Sequence, residues 1–228
     1  MTRIKICGIT NLDDARCAAE AGADFLGFVF YPKSPRFVTP DRVATITQAI
    51  RAAFGADAPR CVGVFVDRPV KEVRGVLESG GLDMAQLHGS EPPEAVRMLS
   101  PHAFKAIRPR THEDAEMAVA TYCDVMPGDG TLPQLLLDAY HPRQFGGTGI
   151  PVNLDVARSL ASHLRLILAG GLTPETVGPV IEQVRPWGVD VSSGVEQARG
   201  VKDHVRLRAF IEAVRAVDAA QKKNGEGV

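Results

Sequence analysis

The sequence lacks paired cysteines, a long apolar run, a charge excess of either sign and a secretory-type start, and each absence removes a class of function. Four cysteines stand at positions 7, 17, 61 and 123, far apart and in no C-x-x-C pair. That spacing disfavours a zinc site, offers no disulfide framework and predicts a reducing, cytoplasmic location. The formal net charge is −1 and the isoelectric point is near 6.6. No global basic field therefore exists to hold nucleic acid or an acidic membrane, and an anionic ligand has to be caught by local groups. The longest apolar run, "FLGFVFY", is too short to cross a bilayer. The opening "MTRIKICGIT" lacks the apolar core and small-residue cleavage site of a signal peptide. What is present is a chain of 228 residues, 45% of them hydrophobic. That is enough for a sizeable core, in one α/β barrel or two small domains.

Short β-rich runs recur along the chain, each followed by a turn and a helical pattern. "RIKI" precedes "NLDDARCAAEAGA", where Asp13 and Asp14 suit a helix's first turn and Gly22 its end. "DFLGFVF" precedes "TPDRVATITQAIRAAFG", with Thr39 as a natural cap and Pro40 in the first helical position. Val43, Ile46, Ile50 and Phe54 then share one helix face. "CVGVFV", "DMAQLH", "FKAI", "QLLLD", "LRLILAGG" and "GVDVSSG" are the remaining strand candidates. Helical patterns follow all of them, including a second Thr-Pro opening at Thr173 and Pro174. Eight strand–helix units at about 28 residues each predict a single (β/α)₈ barrel, the TIM-barrel architecture, with a parallel sheet under a ring of helices. An open doubly wound sheet is disfavoured, because no G-x-G-x-x-G follows the first strand. The barrel is expected over residues 1–218, with a frayed tail at 219–228.

In such barrels the active site lies at the carboxyl ends of the strands. Cys7 ends the first strand, Asp138 ends the sixth, and Arg36 lies in the loop after the second. Glycine-rich stretches follow the last three strands: "GGTG" (146–149), "AGG" (169–171) and "SSG" (192–194). Glycine exposes backbone N–H groups at close range, and the loops after strands seven and eight are the usual phosphate site of this architecture. A phosphate-bearing small molecule is therefore the expected ligand, resting on Gly170, Gly171, Ser193 and Gly194. Strand parity places Lys5 and Cys7 on one face and Ile4 and Ile6 on the other. The isoleucines suit the layer under the helices, which leaves Lys5 and Cys7 inside the barrel. A buried lysine needs a partner, and Asp190, inward on the neighbouring eighth strand, is the expected one. A nearby ammonium would also favour a Cys7 thiolate able to act as a base. Taken alone, Cys7 could equally be a small apolar filler, Asp138 a turn-former and Arg36 a surface arginine.

The motifs decide among these readings. "KICGIT", "GADFLGFVF", "SPRFV", "VGVFV", "QLHG", "LLLDAY", "GGTG", "LAGGL", "DVSSGVE" and "GVKDH" occur in that order, and over roughly residues 3–212 the chain resembles the phosphoribosylanthranilate isomerases of tryptophan biosynthesis. The resemblance implies an Amadori rearrangement without cofactor or metal. It implies Cys7 as general base, Asp138 as general acid and Arg36 as the group holding the anthranilate carboxylate. Ring opening needs a proton on the ribose oxygen, and the resulting iminium acidifies the adjacent C2 hydrogen for a base to remove. An arginine fork matches a carboxylate in two parallel hydrogen bonds. His88 in "QLHG" and Asp190 join the expected pocket, Asp190 mainly through its pairing with Lys5. Cys17, Cys61 and Cys123 read as helix face, strand start and helix end. After "GGTG" the chain reads "IPVNLD" where the family usually carries a Phe-Asp-Trp-like stretch, with Asn153 still able to cap the next helix.

Competing readings are a related phosphosugar barrel, namely the histidine-pathway isomerase or a metal-dependent ribulose-phosphate epimerase, and a non-catalytic binder of anionic aromatics. A cysteine on the first strand argues against the two-aspartate isomerase. The six histidines fall mostly on helices and loops, which argues against the epimerase. Retention of both Cys7 and Asp138 argues against the binder. A monomer is expected, since no apolar helix stripe is left over to demand a partner.

Overall fold

The computed structural model describes residues 1–138 and 153–225. Its core is a closed barrel of eight parallel strands. They are β1 (Arg3–Cys7), β2 (Phe25–Val29), β3 (Arg60–Phe65), β4 (Met84–Leu87), β5 (Ala103–Ile107), β6 (Leu135–Leu137), β7 (Leu166–Leu168) and β8 (Gly188–Val191). Each is followed by a helix: α1 (Leu12–Ala21), α2 (Pro40–Phe54), α3 (Val70–Gly80), α4 (Pro93–Leu99), α5 (His112–Tyr122), α6 (Leu154–Ala161), α7 (Val177–Val184) and α8 (His204–Gly225). This is the (β/α)₈ fold that the alternation predicts.

Local chemistry sets the helix boundaries. The Thr39 hydroxyl accepts the Arg42 N–H with Pro40 at the first position of α2, satisfying a donor that the helix leaves open. The Asn11 side chain caps α1 through the Asp14 N–H, and Gly22 ends it in the left-handed conformation at φ 93°. Asn153 caps α6 through the amides of Asp155 and Val156, as expected of it. One start falls elsewhere. The Thr173–Pro174 opening does not begin α7, which starts at Val177. Thr176 Oγ1 accepts the Thr173 N–H at 3.0 Å and the Thr176 N–H returns to the Thr173 carbonyl at 3.2 Å. This local turn competes with helix and delays it.

Two apolar layers hold the barrel. Outward residues such as Ile4, Ile6, Leu26 and Phe28 pack under the helices with Val43, Ile46 and Ile50. Inward residues Phe25, Val62, Met84, Phe104, Leu136 and Ile167 form a separate cluster, and Trp187 lies 6.0 Å from Phe25 between ring centroids. Each such side chain contributes about 1.5–3 kcal/mol on burial. The filled interior leaves the carboxyl ends of the strands as the open end.

Two features after β8 lie outside the expected pattern. A 3-10 turn, Ser193–Val195, leads into a two-stranded antiparallel hairpin, β9 (Glu196–Ala198) and β10 (Val201–Lys202). Helix α8 runs on to Gly225, so the stretch from residue 219 expected to fray is helical that far, with Ala219 to Lys223 exposed. Among the described residues, no helix is long and apolar enough to cross a membrane.

Candidate active site

The β1–β8 pairing sets Lys5 directly opposite Asp190, and Lys5 Nζ donates to Asp190 Oδ1 at 3.0 Å with the lysine side chain fully buried. The pair expected from strand parity is therefore formed. Burial works against the Lys5 ammonium, yet attraction to Asp190 and then to Cys7 carries its pKa above the ordinary lysine value. Asp190 is itself pushed up by burial, with Lys5 opposing.

Cys7 lies two residues beyond Lys5 on the same face of β1 and lines the cavity at the strand ends. Its thiol departs from expectation. Burial pushes the Cys7 pKa above the ordinary value; Lys5 pulls it down as expected, but Asp190 adds to the rise. Desolvation of a thiolate at this buried strand end, with Asp190 beside it, outweighs the ammonium groups of Lys5 and Lys202. The site therefore favours the thiol over the preformed thiolate that Lys5 alone suggests.

Across the barrel, Asp138 follows β6 and is 5% exposed. His88 follows β4, and its Nε2 stands 3.3 Å from Asp138 Oδ2, at ion-pair distance but off hydrogen-bond alignment. Gln86 Nε2 lies 2.7 Å from His88 Nδ1. With the amide donating, Nδ1 is the acceptor and the hydrogen lies on Nε2, the atom nearer Asp138.

All nine expected site residues, Cys7, Arg36, His88, Asp138, Gly170, Gly171, Asp190, Ser193 and Gly194, line one cavity of about 510 Å³. That volume suits a small ligand. Gly170, Gly171, Ser193 and Gly194 cluster on one side of it, and no hydrogen bond among the described residues uses their amides. A Cβ on Gly194 would collide with the Leu172 carbonyl, so only glycine lets the loops after β7 and β8 meet this closely. "GGTG" (146–149) and residues 150–152 lie outside the described residues.

Arg36 reaches the cavity with part of its fork already engaged. Its Nε and Nη2 each donate to Glu196 at 2.7 Å. The parallel-bond geometry expected toward a ligand is, on that edge, made with the protein. Sequence reasoning missed Glu196 and Gln86, and reached Ser192 only as part of "SSG" (192–194). Gln86 shares the inward face with His88, two residues on, so the parity that found Lys5 also finds it. Among the described residues, the buried side-chain atoms without a hydrogen-bond partner, Gln86 Oε1, His88 Nε2 and Ser192 Oγ, all belong to cavity-lining residues. Unpaired buried polar atoms cost stability and so point to a ligand.

The family model described as N-(5'-phosphoribosyl)anthranilate (PRA) isomerase matches residues 4–213. The chain belongs to the N-(5'-phosphoribosyl)anthranilate isomerase family. The family's member from Geobacter sulfurreducens is 43% identical over 215 residues, spanning 94% of this chain and 99% of the relative. The isomerase of Roseiflexus sp. strain RS-1 is 44% identical over 223 residues, with 95% and 99% covered. The solved phosphoribosyl anthranilate isomerase of Thermotoga maritima superposes with a TM-score of 0.82 at 36% identity, covering 95% of this chain and all of that one. A second isomerase structure, at TM-score 0.79, 36% identity and the same coverage, is a complex with reduced 1-(o-carboxyphenylamino)-1-deoxyribulose 5-phosphate. The Thermotoga isomerase is also described as dimeric.

Proposed function

We infer that Cys7 and Asp138 are the base and acid of the family's reaction, the isomerisation of N-(5'-phosphoribosyl)anthranilate in tryptophan biosynthesis. The chain is an isomerase of that pathway. The observation that carries the assignment is that the ends of β1 and β6 deliver a thiol and a carboxyl group into one cavity, with Arg36 and the glycine-rich loops after β7 and β8 also lining it.

Asp138 gives its proton to the ribose ring oxygen as the C1–O bond breaks. The nitrogen lone pair closes the iminium, and Cys7 takes the C2 proton, leaving an enolamine that tautomerises to the ketose. The Cys7 thiol must first lose its own proton to solvent at the cavity mouth, against its burial. The iminium charge forming beside it favours the thiolate, with Lys5 and Lys202 acting in the same direction. The phosphate rests on the amides of Gly170, Gly171, Ser193 and Gly194, and Arg36 receives the anthranilate carboxylate on its remaining edge. His88 orients Asp138. Anchoring both anionic ends fixes C2 before the base.

The protein is further proposed to act as a cytoplasmic monomer. Its four cysteines are all free, and its exposed large apolar side chains, including Met98, Met117 and Val205, are scattered singly over α4, α5 and α8. Sedimentation showing a stable dimer would reverse the second point.

The test follows the fluorescence of phosphoribosylanthranilate generated in situ, with chelator present. Cys7→Ser and Asp138→Asn should each lower kcat by about 10²–10⁴-fold while retaining affinity for the reduced product. Normal turnover in either variant removes that residue from the mechanism.

A further inference from the structure

The hairpin after β8 brings two buried charges to the cavity's edge, Glu196 and Lys202, with side chains 5% and 0% exposed. Glu196 is fully engaged. Its Oε1 accepts from Arg36 Nε at 2.7 Å and from Lys202 Nζ at 3.1 Å, and its Oε2 accepts from Arg36 Nη2 at 2.7 Å. Lys202 Nζ donates also to the Cys7 carbonyl at 2.6 Å and the Ser192 carbonyl at 3.1 Å. An ammonium has three N–H groups, so Lys202 has none left for a ligand and works as a junction between β1, β8 and the hairpin. Burial alone would push the Glu196 carboxyl up, but the Arg36 hydrogen bonds and the Lys202 charge hold it below the ordinary glutamate value. The hairpin is anchored in turn, since the Lys202 N–H donates to buried Asp14 at 2.9 Å.

A guanidinium offers a carboxylate two edges, Nε with one terminal nitrogen, or the two terminal nitrogens. Glu196 occupies the first edge of Arg36 and leaves Nη1 and the second Nη2 hydrogen. Gly8 makes the crossing possible. A Cβ there would stand 2.5 Å from Arg36 Cδ and 2.9 Å from Ser192 Oγ, and its φ of 75° is one that side chains rarely adopt. The glycine after Cys7 thus admits the arginine over the strand end.

We propose that Glu196 is a positioning residue of this site: it fixes which edge of Arg36 meets the ligand's carboxylate and, through Lys202, ties that clamp to the backbone of Cys7. Without it Arg36 becomes a rotamer-rich chain that the ligand must order for itself, which weakens binding. The proposal rests on the reading that Arg36 receives that carboxylate.

Calorimetry with two probes separates the claims: the reduced product, 1-(o-carboxyphenylamino)-1-deoxyribulose 5-phosphate in reduced form, and its phenylamino counterpart without the carboxylate. Glu196→Gln should weaken the carboxylated probe about tenfold and the other by less than about twofold. KM should rise while kcat holds. In an Arg36→Met background the Glu196 change should add less than about twofold. If Glu196→Gln fails to fold, Glu196→Asp keeps the charge while shortening the reach, and the same loss of discrimination is expected. Equal losses for both probes in the Glu196 variant, or none for either, overturn the proposal while Arg36→Met still loses discrimination. Retained discrimination in Arg36→Met overturns the carboxylate reading, and the proposal with it.

Discussion

Lys5→Met exposes the electrostatic arrangement beneath the thiol. At 3.0 Å the attraction between Lys5 and Asp190 is about 5.5 kcal/mol at an effective dielectric of about 20, before the cost of removing both groups from water. Methionine fills nearly the same volume but leaves Asp190 buried without its cation. Losing one partner of a buried pair costs about 3–5 kcal/mol, whereas replacing both costs far less. Lys5→Met should therefore lower the unfolding free energy by about 3–5 kcal/mol, and Lys5→Met with Asp190→Asn should recover most of it. Because the folded Lys5 pKa lies above the ordinary 10.5, its contribution is complete at neutral pH and is lost only as pH rises through the folded value. Urea unfolding at pH 7, followed by the fluorescence of the single tryptophan, Trp187, measures both variants. The same substitution removes the strongest influence lowering the Cys7 pKa, so the midpoint of iodoacetamide alkylation against pH should move up. A single-variant cost under about 1 kcal/mol with an unmoved midpoint would refute the reasoning.

Two further outcomes follow. Burial pushes the Cys61 thiol up from 9.0 to about 12. The unfolded thiol ionises first, so folding holds a proton, and stability should fall between pH 9 and 12 by up to about 1.4 kcal/mol per pH unit. Cys61→Val should flatten that part of the curve in urea titrations, and an unchanged slope would count against the assignment. Gly194→Ala forces the loops after β7 and β8 apart at the Leu172 carbonyl. It should raise KM about tenfold or more with a smaller change in kcat, and wild-type KM would remove that loop pairing from phosphate binding.

The elements most readable in the sequence were those governed by local rules. Thr39, Pro40 and Gly22 bound their helices through caps that depend only on near neighbours, while the Asn11 cap of α1 went unread. Period-two alternation on β1 and β8 sufficed to pair Lys5 with Asp190, because direct register in a parallel sheet puts matched residues on the same face. What escaped depends on non-local balance. The hairpin β9–β10 has strands of three and two residues, too short for any periodicity, and its hold comes from Asp14 in α1 and Arg36 after β2. Arg36 was readable as a site residue, but its edge taken by Glu196, 160 positions away, was not. The Cys7 pKa likewise sums burial and Asp190, which raise it, against Lys5 and Lys202, which lower it, and the balance depends on the fold around it.

A crystal structure of the chain with the reduced product bound tests the account most directly. The account predicts C2 of the bound sugar about 3.5 Å from Cys7 Sγ, with the Asp138 carboxyl on the opposite side and the phosphate on the amides of Gly170, Gly171, Ser193 and Gly194. A ligand lying with C2 beyond reach of the sulfur, or with Cys7 and Asp138 on the same side of the sugar, would contradict it.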